Sequence, residues 1–167
     1  MKHGALILVS DNVYGNSEAH DAAYSTIKKV LGDGCVIKKT ELGAPYIEGS
    51  EKYISVSHSS ALVVCAISDV PIGVDTEPRD RKVPENVVSR ITEKVDPDPV
   101  VGWTKIESSL KLFGHGLDRI RDCDEFVASS DHTVRFINGS VVTVATKKED
   151  GKVAVMMFKT VVEEKKE

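Results

Sequence analysis

Residues 62–77, LVVCAISDVPIGVDTE, predict two β-strands joined by a turn that contains Pro71. The first strand, residues 62–67, is an apolar run, and the second, from residue 72, carries the acids Asp75 and Glu77. Side chains two residues apart on a strand project from the same face, so the two carboxylates lie side by side. A single pair of this kind is common on solvated strands, and its meaning depends on what else the chain brings near it.

A third acid, Glu107, lies on a helix predicted at residues 99–113. Pro99 suits the first helical position, with Asp98 as the N-cap. An apolar stripe follows at helical spacing and consists of Trp103, Ile106, Leu110 and Phe113. Glu107 and Lys111 lie one turn apart at its margin, where a surface salt bridge between them would contribute only about 0.2–0.5 kcal/mol. An unpaired carboxylate at this core-facing margin would be costly to bury.

Asp75, Glu77 and Glu107 together predict a divalent-metal site. Hard cations such as Mg²⁺ bind oxygen ligands, usually one or two carboxylates with water and substrate phosphates, and Mn²⁺ accepts the same donors. A metal shared by the three acids would neutralise the carboxylate at the helix margin. The pattern therefore points to phosphate chemistry, with a plain Glu107–Lys111 salt bridge as the alternative.

The rest of the chain predicts an α+β fold with two similar halves, each a helix followed by antiparallel strands. Further helices are predicted at residues 17–31, with Ser17 as the N-cap, and 85–93. Further strands are predicted at residues 5–9, 35–39, 53–57, 124–128, 133–137, 141–146 and 153–160. Asn138-Gly139 and Asp150-Gly151 predict two-residue hairpin turns, which would make the last strands a meander. The predicted halves are residues 1–77 and 78–167.

Composition limits the classes of function. The chain has 167 residues, 41% of them hydrophobic and 29% charged, which fits one ordered domain. Its formal net charge of −4 argues against nucleic acid as the main partner. Three cysteines at wide spacing fit neither a zinc motif nor a disulfide framework. The apolar run at residues 5–9 is too short for a signal peptide, so we expect a cytoplasmic protein without a membrane partner, and we expect the charged tail at residues 163–167 to be solvated.

Five short motifs follow one another along residues 42–117. They are Gly43-Ala44-Pro45, Ser57-His58-Ser59, Gly73-Val74-Asp75-Thr76-Glu77, Trp103-Thr104-Lys105-Ile106-Glu107 with Lys111, and Gly114-His115-Gly116-Leu117. In this order they resemble the 4'-phosphopantetheinyl transferase superfamily, specifically the surfactin-synthetase-activating, holo-acyl-carrier-protein-synthase-like type. The family pattern runs G-K-P, S-H-S, G-[IV]-D-[IV]-E, W-x-x-K-E-x-x-x-K and G-x-G-L.

The resemblance implies transfer of the phosphopantetheine arm of coenzyme A to a serine of an acyl or peptidyl carrier protein, with release of adenosine 3',5'-bisphosphate. It also implies a pseudo-dimer of the two halves, with the active site in the cleft between them. Coenzyme A would be a substrate, and Mg²⁺, or alternatively Mn²⁺, the metal.

The same resemblance implies roles for individual residues. Asp75, Glu77 and Glu107 match the metal ligands, and Glu107 is also the candidate for accepting the serine proton. Lys111 matches a lysine that contacts the pyrophosphate. Ser57 and His58 match positions that contact the 3'-phosphate of coenzyme A.

Two departures from the family pattern lie at cationic positions. The lysine of G-K-P is Ala44 here, and the first lysine of W-x-x-K-E is Ile106. Lys105 is about a hundred degrees away around the helix and is a poor substitute. We therefore expect weakened coenzyme A binding. A degenerate member that binds a carrier protein, a metal or a nucleotide without transfer, and an unrelated α+β module with solvated acids, remain alternatives.

Overall fold

A computed structural model describes residues 2–162 of the chain. In chain order the elements are β1 (His3–Asp11), α1 (Gly15–Leu31), β2 (Ile37–Lys39), β3 (Pro45–Ile47), β4 (Tyr53–His58), β5 (Leu62–Ser68), β6 (Ile72–Pro78), α2 (Glu85–Lys94), α3 (Pro99–Leu112), α4 (Cys123–Ala128), β7 (Ser130–Ile137), β8 (Ser140–Lys147) and β9 (Val153–Lys159), with short 3-10 turns at Leu117–Asp122 and Lys148–Asp150. The predicted α+β class is confirmed. The charged tail predicted to be solvated lies outside the described residues.

The strands form two sheets and a small ribbon. The first sheet has the order β4-β5-β1-β9, with antiparallel pairs except for β1 and β9, which run parallel. The second sheet has the order β6-β8-β7 and is antiparallel throughout. The two-stranded ribbon pairs β2 with β3. Two serines of β4 join the edges of the sheets, because Ser55 and Ser57 accept hydrogen bonds from backbone amides of β6 at 3.1 and 3.3 Å.

The elements pack in layers around a shared core. Apolar side chains of β1 and β5 meet those of β6 and β8 between the two sheets. Helix α1 covers the other face of the first sheet through Ala19, Ala23 and Ile27. Helix α3 covers the other face of the second sheet, where Val100 and Val101 contact Val141 of β8. The odd residues of β6, namely Gly73, Asp75 and Glu77, therefore face α3.

Two predictions about the second half are wrong. Residues 124–128 form most of helix α4, not a strand, because Cys123 and Phe126 are one helical turn apart and both pack into the cluster under α2 and α3. Asp150-Gly151 is not a hairpin turn. The chain instead leaves β8 through a 3-10 turn, and β9 pairs with β1, where Val153, Val155 and Met157 pack against the shared core.

Among the remaining local predictions, one turn and one N-cap are confirmed and another N-cap is wrong. Asn138-Gly139 is the predicted hairpin, with φ of 47° and 74° at its two residues. Asp98 is the predicted N-cap of α3 and accepts from two backbone amides of the first turn. Ser17 is not an N-cap, because α1 begins two residues earlier, at Gly15. The short strand β3 was not predicted. Among the residues described, no helix is both long enough and apolar enough to cross a membrane.

Candidate active site

Gly73 determines how closely α3 approaches β6. A Cβ atom built on Gly73 would overlap the carbonyl oxygen of Ser108 and would lie 2.6 Å from the backbone nitrogen of Leu112. A larger residue at this position would therefore push the helix off the strand. The close contact brings Glu107 and Lys111, on the same stretch of α3, beside Asp75.

The three predicted acids meet at this contact. Asp75, Glu77 and Glu107 each offer a carboxylate oxygen within 4.8 Å of the others. Asp75 is buried, and its Oδ2 atom has no hydrogen-bond partner among the residues that the structure describes. Carboxylate oxygens from one buried and two half-buried acids are a donor set that suits a hard divalent cation. The residues present therefore fit the metal that the sequence pattern implies.

Burial and the nearby negative charge both raise the pKa values of Asp75 and Glu77. Burial raises the pKa of Asp75 well above its usual range, Lys111 offsets part of this effect, and the neighbouring carboxylates of Glu107 and Glu77 add to it. Burial also raises the pKa of Glu77, against the lowering effect of Arg81. A bound cation would favour the charged form of both groups.

Two further predicted residues hold Asp75 in position. The Lys111 ammonium lies 3.5 Å from Asp75 Oδ1 and donates to the carbonyl oxygens of Val56 on β4 and Val74 on β6, at 3.3 and 3.1 Å. The Ser57 hydroxyl donates to Asp75 Oδ1 at 3.1 Å. Both side chains therefore link the first sheet to the acid cluster. We call Asp75, Glu77, Glu107 and Lys111 the acidic wall.

The acidic wall lines a cavity of about 770 Å³. The cavity is also lined by His20 of α1, Lys39 of β2 and His58 of β4. We call these three residues the cationic wall after Lys39, because the lowered pKa values of the two histidines leave them neutral at neutral pH. The His20 and His58 rings meet edge to face with centroids 4.8 Å apart. Burial lowers the pKa of both, and the cations nearby lower it further: His58, Lys39 and Lys111 act on His20, and Lys111 acts on His58. His58 Nδ1 is buried without a hydrogen-bond partner in the described part of the chain.

The positions of the two missing family lysines differ. Ala44 lines the cavity, and in the β2–β3 ribbon its neighbour Pro45 pairs with Lys39. Ile106 is 4% exposed and packs with Trp103 and Leu110 in the cluster under α3. Lys105 does not line the cavity and instead forms an ion pair with Asp96 at 2.9 Å.

No sequence prediction singled out His20 and Lys39, which line the cavity, or Arg81, which contacts the acid cluster. His20 and Lys39 belong to none of the five motifs. The alternation of side chains along β2 was the one sequence signal for the face on which Lys39 lies. Arg81 forms an ion pair with Glu77. Arg81 follows Glu77 by four residues, a spacing that indicates an ion pair on a helix. Arg81 lies in the loop after β6, so the helical rule did not apply to it.

Comparison with known proteins agrees with the resemblance at the level of the superfamily. No family model matches the chain. The chain is similar to the 4'-phosphopantetheinyl transferase gsp of Aneurinibacillus migulanus, with 29% identity over 103 residues. The match covers 54% of this chain and 43% of that protein, so less than half of the relative's length is represented. This distant likeness supports the 4'-phosphopantetheinyl transferase superfamily, without distinguishing its types.

Proposed function

We propose that this protein transfers the 4'-phosphopantetheine arm of coenzyme A to a serine hydroxyl of an acyl or peptidyl carrier protein and releases adenosine 3',5'-bisphosphate. The observation that carries the proposal is the meeting of Asp75, Glu77 and Glu107, with Lys111, on the wall of a cavity of about 770 Å³. A protein of the surfactin-synthetase-activating, holo-acyl-carrier-protein-synthase-like type would present this arrangement.

The three acids would hold Mg²⁺, or Mn²⁺, whose chemistry here is neutralisation of charge on the pyrophosphate and on the leaving phosphate. In the reaction the serine oxygen forms a bond to the phosphorus that carries the pantetheine. The bond from that phosphorus to the oxygen of the adenosine-bearing phosphate breaks. Glu107 accepts the serine proton, directly or through a water, because its carboxylate lies at the cavity wall.

The other wall residues bind the substrate in this proposal. Lys111 contacts the pyrophosphate while it holds Asp75. Ser57 and His58 would contact the 3'-phosphate. The buried Nδ1 of His58 has no partner among the described residues, and the Ser57 hydroxyl, which donates to Asp75, would have to turn toward the anion. Lys39 supplies a cation close to Ala44, which has none. Lys39 has no ion-pair partner among residues 2–162, so its charge is free for a phosphate.

Strand pairing supports the predicted pseudo-dimer. In the run β1-α1-β4-β5, strand β5 pairs with both β1 and β4. In the run β6-α3-β7-β8, strand β8 pairs with both β6 and β7, so the second run repeats the scheme of the first. The cavity that receives residues from both runs would be the cleft between the halves. The sequence places the boundary between residues 77 and 78. The pairing of β6 with β8 favours counting β6 with the second half.

A non-catalytic protein that binds a carrier protein, a nucleotide or coenzyme A is the second candidate. The observation that favours it is the absence of a cation at Ala44 together with the burial of Ile106 in the core. Such a protein would keep the cavity but hold the phosphates too weakly for transfer. The cytoplasmic location predicted from the sequence applies to either candidate.

Mass spectrometry of apo carrier proteins distinguishes the two candidates. A panel of fatty-acid, polyketide and peptide-synthesis carriers is incubated with the protein, coenzyme A and Mg²⁺. The transferase adds the mass of the phosphopantetheine arm to at least one carrier, and EDTA abolishes the gain. Binding of coenzyme A without a mass gain on any carrier would instead favour the non-catalytic protein.

A further inference from the structure

Arg81 makes two contacts that attach it to the acidic wall. Its guanidinium donates a hydrogen bond to Glu77 and lies 5.0 Å from the centre of the Trp103 ring. The side chain of Glu77 is 14% exposed and that of Arg81 is 34% exposed. The pair is partly shielded from water, and the guanidinium over the aromatic ring adds a cation–π contact to the charge-assisted hydrogen bond.

The same carboxylate belongs to the acid cluster. Glu77 offers one of the three oxygens that lie within 4.8 Å of one another, and its negative charge is balanced by Arg81 in the structure. Lys111 likewise lies 3.5 Å from Asp75. A divalent cation that takes Glu77 as a ligand brings two positive charges close to the guanidinium of Arg81. Like charges held close together repel.

We propose that Arg81 is a displaceable internal counter-ion, which pairs with Glu77 in the metal-free protein and leaves both Glu77 and Trp103 when a divalent cation binds. The inference rests on the metal-binding role proposed for the acidic wall. Arg81 then determines metal affinity, because each binding event breaks the ion pair and the stacking contact. It also prevents Glu77 from remaining an uncompensated, mostly buried charge before metal arrives.

Trp103 makes this movement observable. It is the only tryptophan in the chain, so its emission reports one site. Mg²⁺ is a suitable probe, because it is diamagnetic and does not itself quench indole emission. Departure of the guanidinium from the ring changes the surroundings of the indole, and the change must follow the same binding curve as calorimetry.

The experiment titrates Mg²⁺ into the wild-type protein and into Arg81→Gln, and follows heat and Trp103 emission. We expect Arg81→Gln to bind Mg²⁺ about tenfold more tightly, because no charge-assisted bond has to break. We also expect the Mg²⁺-dependent emission change to be present in the wild type and absent from the variant. Equal affinities in the two proteins would overturn the proposal.

Arg79→Gln is the matched control. Arg79 lies on the same loop, pairs with Asp98 at 2.9 Å and stacks on Phe136 at 4.5 Å, but its carboxylate partner is outside the acid cluster. It should bind Mg²⁺ with wild-type affinity and keep the emission change. A gain in Arg79→Gln equal to that in Arg81→Gln would mean that only net charge matters, and would also overturn the proposal.

A replacement variant and three further outcomes keep the test decisive. If Arg81→Gln does not fold, Arg81→Lys replaces it. An ammonium cannot reproduce the planar guanidinium pair, so we expect Arg81→Lys to bind Mg²⁺ about threefold more tightly than the wild type. An affinity equal to that of the wild type would contradict the proposal. Failure of every variant to bind Mg²⁺ rejects both the metal site and this proposal. If Arg81→Gln has the Mg²⁺ affinity of the wild type and the wild type modifies a carrier, only the role of Arg81 is rejected. If Arg81→Gln binds Mg²⁺ tenfold more tightly and the wild type modifies no carrier, only the transferase activity is rejected.

Discussion

The two walls of the cavity are built in opposite ways. The acidic wall stands on β6 and α3, two regular elements in close contact, and its central residue Asp75 is 2% exposed. The cationic wall comes from three separate elements, and Lys39 lies exposed at the end of a three-residue strand. One wall is held by the core, and the other is attached to its surface.

The difference follows from the energetics of charge. Three carboxylates near one another raise each other's free energy, so they stay in place only where packing, Lys111 and Ser57 fix them. The exposed ammonium of Lys39 remains hydrated and needs little support, but it contributes less to binding. We therefore expect changes in the acidic wall to have large effects, and changes of charge at Lys39 and at the nearby Ala44 to have small effects that depend on salt.

Removing one carboxylate from the acidic wall should have the largest effect. We expect Asp75→Asn and Glu107→Gln each to lower the rate of arm transfer by about a thousandfold or more, a loss typical of removing a main electrostatic group from an active site. The melting temperature should not fall, because each change relieves repulsion between acids. Transfer is measured by mass spectrometry, and melting by circular dichroism.

Glu51→Gln is the control for that prediction, because Glu51 lines the same cavity outside the acid cluster. It should keep most of the activity. A near-normal rate in Asp75→Asn would show that the acidic wall does not carry the chemistry, and the contrast between the walls would then have no functional meaning.

Gly73→Ala tests whether the contact between β6 and α3 builds the acidic wall. The added methyl group overlaps the Ser108 carbonyl, so we expect a loss of about 3 kcal/mol in the free energy of unfolding, measured with urea. Gly34→Ala, with no atom within 4 Å of the added group, should be nearly neutral. Similar small losses in the two variants would mean that α3 shifts easily and that its position is not fixed by Gly73.

His132 of β7 contacts α3 and makes the stability of the fold sensitive to acid. Its Nε2 lies 2.7 Å from the hydroxyl of Ser109, and burial, reinforced by Lys105, lowers the pKa of His132 to about 4. Between pH 6.5 and pH 4 the unfolded chain therefore binds a proton at His132 that the folded protein does not bind. The contribution of His132 to the free energy of unfolding should be fully present above pH 6.5 and should be lost as the pH falls through that range.

The size of that loss, about 2 kcal/mol, is given by the pKa difference between the two states, reduced for partial exposure. Urea unfolding of the wild type and of His132→Gln at several pH values measures it, because glutamine keeps a hydrogen-bonding group but does not titrate. The difference between the two curves should shrink on acidification. Parallel curves from pH 7 to pH 4 would rule out this residue as the source of acid sensitivity.

The two walls also differ in what the sequence revealed about them. Asp75 and Glu77 follow strand alternation, and Glu107 and Lys111 follow helical spacing, so local periodicity was enough to bring the acidic wall into view. His20 and His58 meet only because α1 packs on the first sheet. Periodicity gives the face of an element and does not give the partner of that face, so the cationic wall could not be predicted in full.

The same distinction explains the errors in the fold. The alternation in residues 153–160 correctly predicted the strand β9 but could not indicate that β1, at the other end of the chain, is its partner. Residues 124–128 are too few for period 2 to be told from period 3.6, and packing of Phe126 decided for a helix. Ile106 was placed in the apolar stripe by its spacing, and the structure confirms this position.

Lys39→Ala measures the contribution of the cationic wall. We expect coenzyme A to bind about fivefold more weakly, a loss near 1 kcal/mol for one exposed charge. Lys38→Ala is the matched control, because Lys38 is the preceding residue, pairs with Glu48 at 2.7 Å and does not line the cavity. Equal losses in the two variants, measured by calorimetry, would mean that the ribbon attracts coenzyme A only through its net charge.

The smallest effect is expected from restoring the missing lysine. Ala44→Lys places an ammonium at the cavity beside Lys39, so it should tighten coenzyme A binding by about threefold and should recover most of the affinity lost in Lys39→Ala. The gain should shrink as salt rises from 0.05 to about 0.5 M, because the screening length shortens over that range. The corresponding change at Ile106 has no such benefit, because that side chain is buried in the core and Ile106→Lys would lose packing without reaching a phosphate. If Ala44→Lys improved binding equally at all salt concentrations, or failed to rescue Lys39→Ala, the two positions would not serve the same phosphate.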